Sequence, residues 1–372
     1  MMDAENVRLG EICTIQYGFA FNSKKFTEDD SKIPLIRIRD VKRGFSNTYY
    51  DGPFSSEYLV HKGDLLVGMD GEFNIARWKS QDALLNQRVC KIVANSNVDE
   101  EYLRFYLKRA LKDIENKTSF VTVKHLSAKK LSNLVIKLPK KNIQISISKQ
   151  LSFLESLIHN FNEENVLFDE LVKARFVEMF GDCTNMISLS ELCLIITDGT
   201  HQSPKFQHDG IPFILVSNLS KNTVTYDTDK FISAETYKEL YKRTPIEIGD
   251  ILLSTVGSYG HPAVVVEDRK FLFQRHIAYL KPKSDILNSY YMHGALLSPG
   301  CQRQIEEKVK GIAQKTLNLS EIRKIRIPVS SLDLQKQYAD FVHQVNKSKV
   351  AVQKALDETQ ILFDSLMQKY FG

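Results

Sequence analysis

LFDELVKARFVEMFG at residues 167–181 and ILFDSLMQKYFG at residues 361–372 give nearly the same helical ending twice, and both close on Phe-Gly. Apolar residues in both segments recur at steps of three and four, a spacing that places them on one stripe of an α-helix. A helical ending that occurs twice predicts that the chain contains two copies of one larger unit.

Further pairs of similar segments follow in the same order, at separations that drift from 178 to 195 residues. Each pair is weak alone, but a constant order with slow drift is the pattern that duplication followed by loop insertion leaves. The paired segments are RLGEIC 8–13 with SLSELC 188–193, IPLIRIRDV 33–41 with IPFILVSNL 211–219, KGDLLVGMDG 62–71 with IGDILLSTVG 248–257, LNQRVCKI 85–92 with FQRHIAYL 273–280, LSNLVIKLP 131–139 with IRKIRIP 322–328, and the two LFD tripeptides at 167 and 362.

The organisation within each copy predicts an α+β fold. Short β-branched runs broken by glycine indicate strands, and amphipathic stretches such as residues 101–114 indicate short helices, without the regular alternation of a doubly wound sheet. We predict a globular part over 1–139, a helix over 140–181, a second globular part over 182–327 and a second helix over 328–372.

The two predicted helices have heptad-like apolar spacing over about five heptads, with no interior Gly or Pro. So narrow a stripe needs a partner helix. Each helix would then pack either on its own globular part or, as we favour, on the other helix as an antiparallel coiled coil between the two globular parts. About 36 helical residues span roughly 54 Å, the length of roughly 16 base pairs of duplex DNA.

Composition is that of a globular protein of two domains, with 43% hydrophobic and 26% charged residues in a chain of 372. The net charge is only +5, but the basic excess falls on the two globular parts and is absent from the two helices. A basic lobe is compatible with phosphate contact and equally with an ordinary solvated surface.

Localisation is predicted to be cytoplasmic. The five cysteines are odd in number and form no CxxC pair, which favours reduced thiols, and Cys13 and Cys193 are expected to be small buried hydrophobes. No apolar run approaches a membrane span, and the first residues lack the apolar core of a signal peptide.

The sequence carries none of the common local catalytic motifs. The sequence has no GxxxxGK[ST], GxGxxG, HExxH or GxSxG motif, and its nine histidines have no metal-ligand spacing. We therefore predict no catalytic residue and no metal site, and a binding protein rather than an enzyme.

With its duplicated α+β lobe and two coiled-coil helices, the chain resembles the specificity subunit of type I restriction-modification systems over essentially its whole length. The resemblance depends on the order in which several family-like stretches recur, since none is specific alone. They are LVGMDGEFNIARW 66–78, LLNQRVCKI 84–92, FQRHIAYLKP 273–282, GIAQKTLNLSEIRKIRIP 311–328 and the Phe-Gly-terminated helices.

The resemblance implies two target-recognition domains, each reading one half of a bipartite double-stranded DNA site. It implies that the helices space these domains and dock two methyltransferase subunits, that restriction-translocase subunits join the complex, and that no membrane is involved. It implies no catalysis and no cofactor in this chain, because S-adenosylmethionine, ATP and Mg would belong to the partner subunits.

Candidate DNA contacts are polar and basic side chains in loops of the two globular parts, because such side chains reach base edges and phosphates. In the first part they are Tyr17, Phe19, Asn22, Lys24, Lys25, Glu72, Asn74, Arg77, Gln87, Arg88, Lys124 and His125. In the second part they are Thr200, His201, Gln202, Lys205, Ser258, Tyr259, His261, Gln274, Arg275, Gln314, Lys315 and Thr316.

Two different half-sites require different readers, so residues shared between the copies should hold phosphate or structure. On that basis Glu72, Asn74, His201 and His261 are better base readers than the Gln-Arg pairs. Gly71 and Gly257 match across the repeat, and we expect positive φ or close backbone approach at both.

Two other functions stay open on the sequence. One is a stand-alone DNA-modifying or DNA-cleaving enzyme with divergent motifs, which would show turnover by the isolated chain. The other is a purely structural coiled-coil scaffold, which would show no salt-dependent affinity for DNA.

Overall fold

The computed structural model describes residues 4–117, 125–311 and 315–372, and these form two compact units. Unit 1 comprises Met1–Asn162 with Lys354–Gly372, and unit 2 comprises Glu163–Gln353. Both long helices therefore contribute to both units, since the division passes through the middle of each.

Unit 1 contains short strands and short helices, followed by the first long helix. Its strands are β1 Ala4–Arg8, β2 Cys13–Tyr17, β3 Phe26–Thr27, β4 Ile33–Ile36, β5 Tyr49–Tyr50, β6 Leu59–Val60, β7 Leu65–Gly68, β8 Ile75–Arg77, β9 Ala83–Leu85, β10 Val89–Ala94 and β11 Val135–Pro139. Its helices are α1 Leu9–Ile12, α2 Ile38–Arg43, α3 Glu100–Lys117, α4 Ala128–Ser132 and the start of α5 Lys141–Phe180.

The described strands of unit 1 form three sheets. One sheet has the order β2-β10-β7-β8, and a second has the order β3-β5-β4-β9-β6 with β4 and β9 parallel. A third, two-stranded sheet pairs β1 with β11 and leads the chain into α5. The apolar face of α3 covers the first sheet, burying Leu103, Leu107 and Leu111.

Unit 2 repeats this arrangement. Its strands are β12 Met186–Ser188, β13 Cys193–Asp198, β14 Ile211–Ile214, β15 Phe231–Ile232, β16 Ile251–Ser254, β17 Pro262–Val264, β18 Leu272–Phe273, β19 Ile277–Pro282 and β20 Arg326–Pro328. Its helices are α6 Leu189–Leu192, α7 Ala234–Leu240, α8 Ser289–Leu297, α9 Pro299–Lys308, α10 Leu319–Ile322 and α11 Leu332–Phe371, of which the last part belongs to unit 1.

The four-stranded and two-stranded sheets of unit 2 match those of unit 1, whereas its other sheet has three strands, β15-β14-β18, where unit 1 has five. The order β13-β19-β16-β17 corresponds to β2-β10-β7-β8, the parallel pair β14-β18 to β4-β9, and the pair β12-β20 to β1-β11. The predicted internal repeat and the predicted α+β class are therefore both seen in the fold.

A buried glutamine anchors the beginning of each long helix. Gln144 donates to Pro139 O at 2.7 Å and accepts from Asp99 N at 2.8 Å. Gln335 repeats this, donating to Ser330 O at 2.9 Å and accepting from Asn288 N at 2.8 Å. Both side chains are buried, so each ties the turn before the long helix to the loop before the short helix of its own unit.

The long helices correspond at a separation of 191 residues, because Lys141 and Phe180 bound the first and Leu332 and Phe371 bound the second. Pairing the two LFD tripeptides at a separation of 195 is thus wrong by four residues. An amphipathic helix repeats its pattern about every 3.6 residues, so a shift of one turn gives a false match.

Within unit 1, the first part of α5 contacts both its own globular part and the last part of α11. Leu151 and Leu154 are buried with Tyr102 of α3 and with Phe363 and Met367 of α11. The two packing arrangements weighed on the sequence are therefore combined in this unit.

Within unit 2, the last part of α5 contacts the first part of α11. Lys349 Nζ lies 2.7 Å from an Asp169 carboxylate oxygen, and the rings of Phe176 and Tyr338 are 5.4 Å apart. Since residue numbers rise along one helix as they fall along the other, the two segments run in opposite directions here.

Candidate nucleic-acid interface

In each unit, a glycine follows the first strand of the four-stranded sheet, β2 in unit 1 and β13 in unit 2. Gly18 N donates to Val89 O at 3.0 Å, and a Cβ at Gly18 would lie 2.0 Å from Asn86 O. Gly199 in unit 2 has the same setting, with a Cβ that would lie 2.2 Å from Phe273 O. Only glycine allows this approach, so the loop that follows is held against the turn before β10 or β19.

In each unit, the loop after β7 or β16 is hydrogen-bonded to the same turn before β10 or β19. In unit 1, Met69 N donates to Arg88 O and Leu126 N donates to Met69 O. In unit 2, Thr255 N donates to His276 O and Leu317 N donates to Thr255 O. Gly71 and Gly257 in these loops have φ of 69° and 72°, which confirms the positive φ expected of them.

These hydrogen bonds gather distant segments at one end of each central sheet, and we call that end the loop face. The loop face of unit 1 comprises residues 17–19, 69–74, 86–88 and 125. The loop face of unit 2 comprises residues 198–201, 255–261, 274–276 and 315–316.

The two Gln-Arg pairs are not equivalent, which corrects the alignment made on the sequence. The bridge of Phe19 to Asn86 corresponds to the bridge of Thr200 to Gln274, so Gln274 occupies the place of Asn86 and Arg275 that of Gln87. The dipeptides match in letters but are displaced by one residue, because short turns carry too few apolar residues to fix an alignment. The argument that both pairs serve a shared role therefore fails.

Asp70 organises the charges on the loop face of unit 1. Its buried carboxylate contacts the Arg88 guanidinium and lies 2.5 Å from His125 Nδ1. Burial alone would raise the pKa of Asp70, but the hydrogen bonds and positive charges of His125 and Arg88 lower it below its usual value. The carboxylate is therefore ionised at neutral pH.

Asp198 organises charged and polar side chains on the loop face of unit 2, at a different position from that of Asp70. One carboxylate oxygen lies 2.9 Å from His201 Nε2 and the other 2.6 Å from an Arg243 guanidinium nitrogen. Asp198 also lines a cleft of about 290 Å³ with Thr255, Arg275, His276 and Thr316, among others. Burial and the charge of Arg275 lower the pKa of His276, which keeps its imidazole neutral at pH 7.

Other predicted residues of unit 1 differ in their surroundings. Asn22 accepts a hydrogen bond from Lys24 N, and Lys24 and Lys25 are exposed on that turn. Arg77 pairs with Glu100 and Glu101 at the start of α3, away from the loop face.

The rest of the predicted set in unit 1 lies at or beside the loop face. Phe19 is exposed and its ring is 5.1 Å from that of Tyr58, while Tyr17 donates to Ala128 O at 3.3 Å. Glu72 and Asn74 form one turn, and Gln87 is exposed on the next. Lys124 lies outside the described residues.

Most predicted residues of unit 2 lie on its loop face. Lys315 Nζ is 2.9 Å from Glu306 and 5.7 Å from the ring centre of Tyr259. His261 Nδ1 is 3.0 Å from Asn222 Oδ1. The remaining members are Thr200 and Gln274 at the bridge, Arg275 and Thr316 at the cleft, and Gln202, Lys205 and Ser258 on exposed loops. Gln314 lies outside the described residues.

Sequence reasoning missed four residues that organise these sites. Asp198 and Arg243 are 45 residues apart, and no local spacing signals that they meet. Gln144 and Gln335 did leave a signal. Each is the last residue of a tripeptide at the start of a long helix, NIQ at 142–144 and DLQ at 333–335, shortly after a strand-ending proline.

In 4–117, 125–311 and 315–372, His, Cys, Asp and Glu side chains do not gather in threes in a way that would hold a metal ion. Over the same residues, each helix is too short or too polar to cross a bilayer.

Comparison with known proteins identifies the family from the sequence. The family profile described as "Type I restriction modification DNA specificity domain" matches residues 1–167 and again 184–359. The EcoBI specificity subunit of Escherichia coli is 30% identical over 98% of this chain and 85% of the relative. The MjaVIII specificity subunit of Methanocaldococcus jannaschii is 20% identical over 95% and 90%.

Solved structures show the same fold at lower identity. The S subunit of a type I restriction-modification system from M. genitalium gives a TM-score of 0.59 at 16% identity, covering 100% of this chain and 96% of that one. A chain from a structure of the type I R-M system, described for its complex assembly and conformational transition, gives 0.55 at 18%, covering 99% and 97%. With two matching domains, 30% identity over nearly its whole length and this shared fold, the chain belongs to the family of type I restriction-modification specificity subunits.

Proposed function

We propose that this chain supplies the DNA sequence specificity of a type I restriction-modification complex, and that each unit reads one half of a bipartite site. The observation that carries this is the pair of loop faces. They are built by the same hydrogen bonds on the same sheet order, yet they present different side chains at equivalent positions. A common support with different readers suits two different half-sites.

In this proposal the paired long helices form an antiparallel coiled coil that sets the number of unread base pairs. Their equal length and the contacts within each unit support it. Removing residues 156–162 together with 347–353 deletes seven equivalent residues from each helix. That change shortens the helices by about 10 Å, so the unread gap should lose about three base pairs while both half-sites stay the same.

The matched control removes residues 156–162 alone. It leaves helices of unequal length, so we expect loss of stability or of methylation rather than a new, shorter gap. Methylome sequencing reads both outcomes. If the double deletion methylates with the original gap, the helices do not set the spacing.

The helices also offer surface for the partner subunits. In unit 2, Leu167 and Leu171 are exposed and line an apolar groove on α5 with Ala174, flanked by Glu164 and Glu170. In unit 1, Ile361 and Leu362 are exposed on α11. We propose that such patches dock two methyltransferase subunits, and that restriction-translocase subunits join them.

Catalysis then belongs to the partners. We propose that S-adenosylmethionine, ATP and Mg bind to the methyltransferase and restriction subunits, so that this chain has no turnover of its own. This chain contributes the recognition of DNA.

The direct test is methylation by a reconstituted complex. The purified chain and its methyltransferase partner are incubated with S-adenosylmethionine and duplex DNA, and modified adenines are mapped. We expect one bipartite sequence to be modified, with salt-sensitive DNA binding. Modification without a common bipartite sequence, or turnover by the isolated chain, would contradict the proposal.

A further inference from the structure

We propose that Asp70 and Asp198 are positioning residues, each of which holds an arginine and a histidine in place to read bases. The specificity-determining residues are then Arg88 for the half-site of unit 1 and Arg243 for that of unit 2. The preferred target of each arginine is a guanine. This inference rests on the proposed function, since it needs two half-sites.

The cluster in unit 2 has its carboxylate inside and its basic side chains outside. The Asp198 side chain is 16% exposed, whereas those of His201 and Arg243 are 52% and 51% exposed. One carboxylate oxygen lies 2.9 Å from His201 and the other 2.6 Å from Arg243. Asp198 is therefore committed to its neighbours, and the outward side chains are the ones offered to a ligand.

The cluster in unit 1 has the same design. The Asp70 side chain is 6% exposed and contacts Arg88 and His125, which are 58% and 60% exposed. An exposed ion pair alone would be weak and mobile. A carboxylate fixed by burial is different, because it selects one orientation for each basic side chain that contacts it.

Backbone conformation gives an independent sign at Arg88, whose φ is 70°. Among the described residues, Arg88 and Asn222 are the non-glycine residues with positive φ. That conformation costs free energy for a residue with a side chain, and such strain concentrates at functional positions. The strained turn aims the guanidinium at Asp70.

An oriented arginine favours base reading over phosphate contact. A guanidinium binds the O6 and N7 atoms of guanine in the major groove through two hydrogen bonds, which requires a fixed plane. A phosphate can be bound by a lysine ammonium, which acts as a point charge and needs no fixed plane. A guanidinium held by a carboxylate also retains donors for the base and loses less rotamer entropy on binding.

The two clusters occupy positions that do not correspond. By the hydrogen bonds that relate the loop faces, Asp70 corresponds to Val256, and Asp198 corresponds to Tyr17. The same chemical arrangement is thus built at different places on one scaffold. Each cluster is consequently specific to its unit, as a reader of its own half-site must be.

The experiment measures methylation of randomised duplexes by the complete complex of this chain with its methyltransferase partner. We expect Arg243→Ala to reduce discrimination at one base pair of one half-site by about 10- to 100-fold. Arg88→Ala should do the same at one base pair of the other half-site. Each variant leaves the half-site of the other unit unchanged, so it serves as the control for the other.

Conservative variants separate positioning from charge. Arg243→Lys and Arg88→Lys keep the charge, so DNA affinity and its salt dependence should hold while discrimination at that base pair falls. Asp198→Asn and Asp70→Asn should reduce discrimination at the same base pairs less than the alanine variants do. Lys242→Ala and Lys62→Ala remove an exposed cation outside the clusters and should leave both half-sites intact. Thermal unfolding confirms that each variant folds.

Three results would overturn the inference, and they are distinguishable. If the wild-type complex recognises no bipartite site, the proposed function fails and the inference falls with it. If the site is bipartite but the arginine variants weaken methylation evenly at all positions, as a phosphate contact would, the inference alone is wrong. Full discrimination by the lysine variants would also refute it.

Discussion

The two units share the backbone scaffold of their loop faces and differ in the side chains on that scaffold. Sheet order, the close glycines Gly18 and Gly199, and the buried glutamines Gln144 and Gln335 recur with the same hydrogen-bond partners. The side chains of the loop faces do not recur: Asp70, Arg88 and His125 of unit 1 correspond to Val256, His276 and Thr316 of unit 2. Backbone hydrogen bonds thus fix where the loops lie, which leaves their side chains free to diverge.

The strongest test of the shared support is substitution of the close glycines. Gly18→Ala and Gly199→Ala should each destabilise their own unit by more than about 4 kcal/mol, because the added Cβ meets backbone oxygen that has no room to move. Hydrogen exchange resolved by unit measures this. Gly300→Ala, where no atom lies within 4 Å of the added Cβ, should change stability by less than about 1 kcal/mol. If either glycine variant lowered the stability of both units equally, the close glycine would not act within its own unit, and the comparison would fail.

The equivalent phenylalanines at the ends of the long helices should differ in cost. Phe180 is buried, with ring centres 4.8 Å from Tyr291 and 5.8 Å from Tyr338, so Phe180→Ala should cost about 3–5 kcal/mol. Phe371 is half-buried beside Tyr102, and Phe371→Ala should cost roughly half as much, because less apolar area leaves water on folding. Urea unfolding compares the two. Equal costs would show that the helix ends pack alike.

The buried glutamines should behave alike in the two units. Gln144→Ala and Gln335→Ala each leave a part-buried backbone N–H and a C=O without the glutamine partner, at a cost of about 2 kcal/mol. The control is Gln150→Ala on the surface of α5, expected within about 0.5 kcal/mol. Urea midpoints measure all three. A large difference between Gln144 and Gln335 would show that the two joints are not equivalent.

The smallest expected effect is a difference in acid sensitivity. Because the native pKa of Asp70 is lowered, its ion pairs stabilise unit 1 fully above the unfolded pKa of about 3.9, and this contribution is lost as pH falls through the native pKa. Unit 2 has Val256 at that position and lacks this contribution. Unfolding followed from pH 7 to pH 2.5 should show a shallower acid loss in Asp70→Asn than in the wild type. Identical slopes would mean that the cluster adds no stability.

Much of the fold follows from sequence pattern, because periodicity and glycine are local signals. The repeat, the two long helices and the positive φ of Gly71 and Gly257 were all predictable. The exact correspondence of the copies was not: the LFD and Gln-Arg matches are displaced, since helical turns resemble one another and turns carry few constraints.

The candidate site was less accessible from sequence. Asp198 meets Arg243 only because a sheet edge and a distant helical turn converge, and such long-range contacts leave no spacing in the chain. Whether the predicted DNA contacts touch DNA stays a prediction, tested by the methylation experiments above.

The division of the long helices between the units has a consequence for biosynthesis. Tyr102 and Phe105 near the start of the chain are buried by Phe363 and Met367, and all of residues 163–353 leave the ribosome in between. The unit begun first is therefore completed last. In a nascent chain, the globular part of unit 1 should keep an exposed aromatic surface, to which chaperones can bind, until residues 354–372 emerge.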